Sequence, residues 1–174
     1  AAAVGDLLRT VEGPVVLVGH SYGGMVISNV DAGAGEIVGL LDDAAFAPDA
    51  GEDATGLSLR FPGSTLGEAL RPTPRADGTT DLTIDPARFH EQFAADVPTA
   101  IAGRMAATQR PITDAALNEP AADPAWKSIP SWFVYGSADK NIPPQALGFM
   151  AERARSKQTV VLKGASHVPM VSNP

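Results

Sequence analysis

The sequence predicts an α/β protein built on a mostly parallel sheet with flanking helices. Three observations carry that expectation. Short apolar, β-branched runs alternate along the chain with segments of helical spacing, the pattern of strands joined by crossover helices. The run Val15–Val18 is continuously apolar rather than alternating, which reads as a strand buried on both faces. Finally, residues with nucleophilic and acid-base side chains follow closely on three separate strand-like runs, and the carboxyl edge of an open α/β sheet is where sites assemble.

Taken in order, Val4, Leu7, Leu8 and Val11 recur at helical spacing and predict an amphipathic helix that ends near Gly13-Pro14. Val15–Val18 is the first strand. Gly19-His20-Ser21-Tyr22-Gly23 follows as a tight turn, and Tyr22 to about Val30 as a helix. Ile37–Leu41 is the next strand, running into Asp42-Asp43-Ala44-Ala45-Phe46-Ala47-Pro48. The texture then changes to Pro, Gly, Thr and Asp. Within this stretch Asp81–Asp85 alternates like a half-exposed strand, and Asp85-Pro86 suits the N-cap and first position of a helix carrying Phe89 and Phe93 one turn apart. Thr99–Thr108 predicts a second helix there, and Pro120–Pro124 a loop. The core pattern resumes with the strand Trp132–Gly136, a helix-compatible segment Pro144–Arg155 and the strand Thr159–Leu162. The division this implies is a core of residues 1–48 and 128–174, interrupted by a small, mainly helical cap insertion at 49–127.

Composition removes several function classes. The 174 residues fit one domain with a sizeable core, and 44% hydrophobic content argues against disorder. With 13 basic and 20 acidic side chains the net charge is −7, without a dense cationic cluster, so nucleic acid is not an expected partner. No cysteine is present, which excludes disulfides, thiolate metal sites and cysteine nucleophiles. No apolar run approaches the roughly 20 residues that span a bilayer. No His/Asp/Glu cluster has metal-ligand spacing. The N-terminus lacks a basic region followed by an apolar stretch, and a cytoplasmic location is the expectation.

The chemistry-bearing residues are Ser21, Asp139 and His167, each just past a predicted strand. A serine on a sharp strand-to-helix turn, with glycines that let the two elements approach, is a nucleophile elbow. His167 is the expected general base, Asp139 the group that orients it, and the Tyr22 backbone N–H one oxyanion donor. Asp42 and Asp43, ending the second strand, are an alternative acid that the order of elements disfavours. His20 reads as structural and His90 as a surface residue. Phe46, Phe61, Phe89, Phe93 and Met105 are candidates for an acyl pocket beneath the cap or for plain core.

On these residues the chain resembles the α/β-hydrolase superfamily over nearly its whole length. Gly19-His20-Ser21-Tyr22-Gly23-Gly24, Gly136-Ser137-Ala138-Asp139-Lys140 and Gly164-Ala165-Ser166-His167-Val168-Pro169-Met170 are similar to bacterial esterase-like members related to plant methylesterases and hydroxynitrile lyases. The resemblance implies a cofactor-free serine hydrolase acting on a small-molecule ester, with a helical cap over the site. Family members carry early strands and a His-Gly loop upstream of the nucleophile, and a last helix after the histidine. Neither is matched here, so the resemblance implies an N-terminally truncated fold, a fragment of a longer protein. Val168 stands where the hydroxynitrile lyases have lysine, which argues against lyase chemistry, and serine at the elbow disfavours dehalogenase and epoxide hydrolase chemistry. Perhydrolase or carbon-carbon bond hydrolysis on the same residues, or ligand binding with negligible turnover, are the alternatives.

Overall fold

The computed structural model describes residues 1–174. Helix α1 (Ala2–Leu8) leads into strand β1 (Val15–His20), helix α2 (Gly23–Ser28) and strand β2 (Ile37–Asp43). The intervening segment forms α3 (Ala54–Leu59), α4 (Leu66–Ala69), β3 (Leu70–Pro74), β4 (Thr80–Ile84), α5 (Pro86–Phe93), α6 (Thr99–Thr108), β5 (Ile112–Thr113) and α7 (Asp114–Leu117). A single 3₁₀ turn, Ala125–Lys127, returns the chain to β6 (Ser131–Gly136), α8 (Pro144–Arg153), β7 (Thr159–Leu162) and α9 (Pro169–Ser172).

Strands β1, β2, β6 and β7 lie side by side in that order, all parallel. Parallel neighbours need long crossovers, and here one crossover contains α2 and another α8. The three helices α1, α2 and α8 cover the same face. Leu8 packs with Val15 and Leu17, Ile27 with Leu40, and Leu147 and Met150 with Phe133 and Tyr135. On the other face Val16 and Val18 are 54% and 60% exposed. The expectation that Val15–Val18 is buried on both faces is therefore corrected: in this chain β1 lies at the edge of the sheet and Val16 and Val18 are left uncovered.

The segment between β2 and β6 is mainly helical and also holds a three-stranded antiparallel sheet in the order β3-β4-β5. Only β4 had a sequence signal, through its alternation. Helix α5 starts as its sequence dictates, with the Asp85 carboxylate accepting from the Ala87 N–H at 2.9 Å and Pro86 in the first turn. Ile84, Phe89, Val97, Ala102 and Ala106 form a second core that also takes in Val168 from the loop after β7. Further on, the guanidinium of Arg153 on α8 holds Glu52 at 2.7 Å and lies over the rings of Trp126 and Phe149. The inserted segment is thus welded to the parallel sheet by apolar and charged contacts alike.

Close approach of backbone to backbone fixes where β1 meets α2. A Cβ on Gly19 would lie 2.8 Å from the carbonyl carbon of Gly23, and one on Gly24 would lie 2.7 Å from the Phe46 nitrogen. Neither obstacle is a flexible side chain that could move aside. Gly23, in contrast, faces open space. Gly24→Ala is expected to destabilise the fold by about 2–4 kcal/mol through overpacking, whereas Gly23→Ala changes stability by about 1 kcal/mol or less. Urea midpoints of the two variants check this pair.

Candidate active site

Ser21 sits at the carboxyl end of β1 with a left-handed φ of 55°, a conformation that costs a non-glycine residue energy unless its neighbours hold it. They do so through three backbone hydrogen bonds. The Ser21 N–H donates to the Asp43 carbonyl at 3.3 Å, and its carbonyl accepts from the N–H groups of Gly24 at 3.0 Å and Phe46 at 3.2 Å. The turn is consequently clamped between α2 and the chain leaving β2. The next N–H, that of Tyr22, makes no hydrogen bond within the chain.

Loops after β6 and β7 bring the partners. The His167 Nε2 lies 2.8 Å from the Ser21 Oγ, and its Nδ1 lies 2.6 Å from the Asp139 Oδ2. A carboxylate can only accept, so Nδ1 carries the proton and Nε2 is left to accept from the serine hydroxyl. Both His167 and Asp139 are buried, at 1% and 4% exposure, so the pair is shielded from water. The other carboxylate oxygen of Asp139 accepts from the N–H groups of Asn141 at 2.7 Å and Ile142 at 3.1 Å. Asn141 is itself held by Gln92 of α5, whose amide donates to the Asn141 Oδ1 at 3.1 Å and to the Lys140 carbonyl at 2.9 Å. Thr65 completes the network by donating to the Gln92 Oε1 at 2.8 Å. Two residues of the inserted segment therefore brace the loop that carries Asp139.

His20 lies under the site. Its Nε2 donates to the His167 carbonyl at 2.8 Å, and its ring is 4.9 Å from that of His167. Burial, reinforced by His167, lowers its pKa to about 4, so the ring is neutral near pH 7 and keeps one N–H to give. Phe93 stands edge-on to His167 at 4.9 Å between ring centres. Asp42 and Asp43 are buried at the end of β2, and neither hydrogen-bonds an imidazole. Burial pushes the Asp42 carboxyl well above the carboxylate range and raises that of Asp43. The expectation that His90 is a surface residue is corrected too. It is half-buried, with Nε2 on the Val97 carbonyl at 2.8 Å, bridging the end of α5 to the next turn.

A cavity of about 680 Å³ opens above Ser21. Phe46, Phe89, Phe93 and Met105, which the sequence offered either for an acyl pocket or for plain core, line it, and Phe89 belongs to the second core as well. Phe61 does not: it packs on Phe149 at 5.6 Å between ring centres and joins the main core instead. The apolar count of Phe61 carried no direction, and its position at the end of α3 turns it toward α8. Sequence reasoning missed the far wall of this cavity, Leu70, Leu82, Ile84 and Ile112, contributed by the antiparallel sheet. It also missed Gln92 and Asn141. Polar residues in a Pro- and Gly-rich stretch carry no periodic signal of burial. No group of three or more His, Cys, Asp or Glu side chains is placed to hold a metal ion.

A parallel sheet, a hydroxyl on a tight turn and a buried imidazole-carboxylate pair at one sheet edge define a class of protein, the hydrolases of the α/β type. The family model for the α/β hydrolase family matches residues 1–174, and the chain belongs to that family. An α/β hydrolase of Aspergillus novofumigatus, nvfD, is 30% identical over 175 residues, covering 92% of this chain. The chain spans 65% of the length of that relative. Among solved structures, polyneuridine aldehyde esterase superposes with a TM-score of 0.80 at 16% identity, over 98% of this chain and 72% of its own. The Arabidopsis methylesterase MES16 gives 0.75 at 17% identity, over 98% and 70% of the two chains. A pyrethroid hydrolase from Sphingobium faniae JZ-2 gives 0.68 at 23%, over 99% and 71%. At these identities the likeness is one of fold.

The neutral His20 makes stability depend on pH. The unfolded chain takes up this proton near 6.5 and the folded one only near 4, so the unfolded state binds more protons in that window. The contribution of His20 to stability therefore rises with pH through this window and is lost as pH falls, by about 3 kcal/mol, while the raised carboxyls of Asp42 and Asp43 contribute with the opposite sign. His20→Gln, which keeps an N–H donor but does not titrate, is expected to flatten that part of the profile. Urea midpoints measured between about pH 7 and pH 4 for both proteins test the assignment.

Proposed function

We propose that the protein hydrolyses carboxylic esters through an acyl-enzyme on Ser21. The observation that carries this reading is the continuous line from the Ser21 hydroxyl through His167 to Asp139, with contacts of 2.8 and 2.6 Å. Serine is a weak nucleophile until a base takes its proton in the act of attack. His167 Nε2 is within reach to take it, and Asp139 holds the ring in the tautomer that can and stabilises the imidazolium that forms. The Ser21 Oγ then bonds to the ester carbonyl carbon, whose oxygen becomes an oxyanion that the unengaged Tyr22 N–H can receive. Collapse expels the alcohol, which takes its proton from His167 Nε2. Water attacks the acyl-serine by the same route in reverse, giving the acid and the free hydroxyl.

The family assignment and the esterases that share the fold agree with this chemistry. Within the proposal Ser21 on its turn is a nucleophile elbow, Ser21, His167 and Asp139 form a catalytic triad, and the 49–127 segment is the cap that walls the acyl pocket. Every component is an ordinary side chain or backbone group, so the scheme uses no cofactor.

Ser21→Ala is expected to lower kcat for a para-nitrophenyl ester by at least about four orders of magnitude, with little change in stability. Asp139→Asn, which allows the wrong imidazole tautomer, is expected to cost about 10⁴-fold in kcat. Steady-state rates with active-site titration give both values, and undiminished turnover in Ser21→Ala removes the reading.

A further inference from the structure

The cavity above Ser21 is apolar over most of its wall, and its lining holds no Asp, Glu or Lys. Its one permanent charge is the guanidinium of Arg110. Arg110 makes no ion pair and no side-chain hydrogen bond. Four other arginines of the inserted segment, Arg60, Arg71, Arg75 and Arg88, each face a carboxylate of the chain; Arg104 is unpaired too, but it does not line the cavity. In a chain of net charge −7, with 20 acidic side chains to choose from, a cation beside an apolar cavity has been left uncompensated.

Its backbone, however, is held. The neighbouring Gln109 accepts from the Ile84 N–H and donates to the Ile84 carbonyl, both at 2.8 Å, and donates again to the Ala106 carbonyl at 3.0 Å. Pro111 restricts Arg110 from the other side, since a residue before proline is driven to extended conformations. The link from α6 to β5 is therefore fixed while the guanidinium at its tip stays exposed and unpaired. A planar fork of donors with no partner suits a carboxylate, which it can meet with two parallel hydrogen bonds.

Resting on the esterase reading of Ser21, we propose that Arg110 is an anion anchor at the rim of the cavity. The substrate is then an ester whose bulky apolar body fills the cavity and which bears a carboxylate remote from the scissile bond. A volume of about 680 Å³ agrees with such a body, being well above what a short-chain ester occupies. The net negative charge of the chain repels an anionic substrate, and Arg110 offsets that repulsion beside the cavity. Arg110 is a specificity residue and has no part in bond making or breaking.

The test uses the Ser21→Ala protein, in which the ester survives, titrated calorimetrically with para-nitrophenyl hydrogen sebacate and with its methyl-capped neutral diester. The free carboxylate is expected to tighten binding about three- to tenfold at low salt, the range for an exposed but well-aligned guanidinium-carboxylate pair. Adding Arg110→Ala is expected to erase that advantage. Arg104→Ala, which removes another unpaired exposed arginine that does not line the cavity, is expected to preserve it. Equal affinities for the two esters, no binding of either, or an advantage that survives Arg110→Ala overturns the proposal. Turnover by the protein with Ser21 intact is scored separately. Charge-selective binding without turnover sinks the esterase reading and leaves the anchor, whereas turnover without charge preference does the opposite.

Discussion

The contact between the His167 Nδ1 and the Asp139 carboxylate, 2.6 Å long and closed to water, is the interaction on which the rest of the arrangement turns. Burying a carboxylate is costly unless its lone pairs are met, and a half-satisfied network is worse than none. Here each oxygen has a partner, one the imidazole and the other two backbone N–H groups of its own loop. Those N–H groups point inward because the loop is pinned by Asn141, Gln92 and Thr65. Sheet and insertion therefore share one polar network around the short contact.

Burial around the site also strips it of competing charge. His20, directly beneath His167, is held neutral, and Asp42 at the end of β2 is pushed toward its protonated form. The imidazole hydrogen-bonds one carboxylate, that of Asp139, although Asp42 and Asp43 also stand at this sheet edge. Low dielectric strengthens the one paired interaction and disfavours ionisation of the unpaired groups, so a single physical cause sets both outcomes.

Local strings made most of this legible in the sequence. Ser21, Asp139 and His167 each follow an apolar run, and a strand end followed by a turn is a short-range signal. The helices Pro86–Phe93 and Thr99–Thr108 were equally readable from capping and spacing. What escaped depends on contacts distant in sequence. Leu70–Pro74 holds two prolines and no alternation, and becomes a strand only because β4 lies beside it. Gln92 is polar on a helix with two phenylalanines, yet it is 4% exposed because its partners come from a loop 48 and 49 residues further along. Phe61 and the outer face of β1 were misread for a related reason: apolar character says that a side chain seeks cover but not which element supplies it.

The polar seam of Thr65, Gln92 and Asn141 also governs how anything reaches Ser21. Swinging the inserted segment away would strand several buried amide and carbonyl groups at once, and would pull Val168 out of the second apolar cluster. A roof fastened in this way does not act as a hinged door. If Ser21 acts as proposed, the shape of the standing cavity above it, rather than the timing of a closure, would select what reaches it.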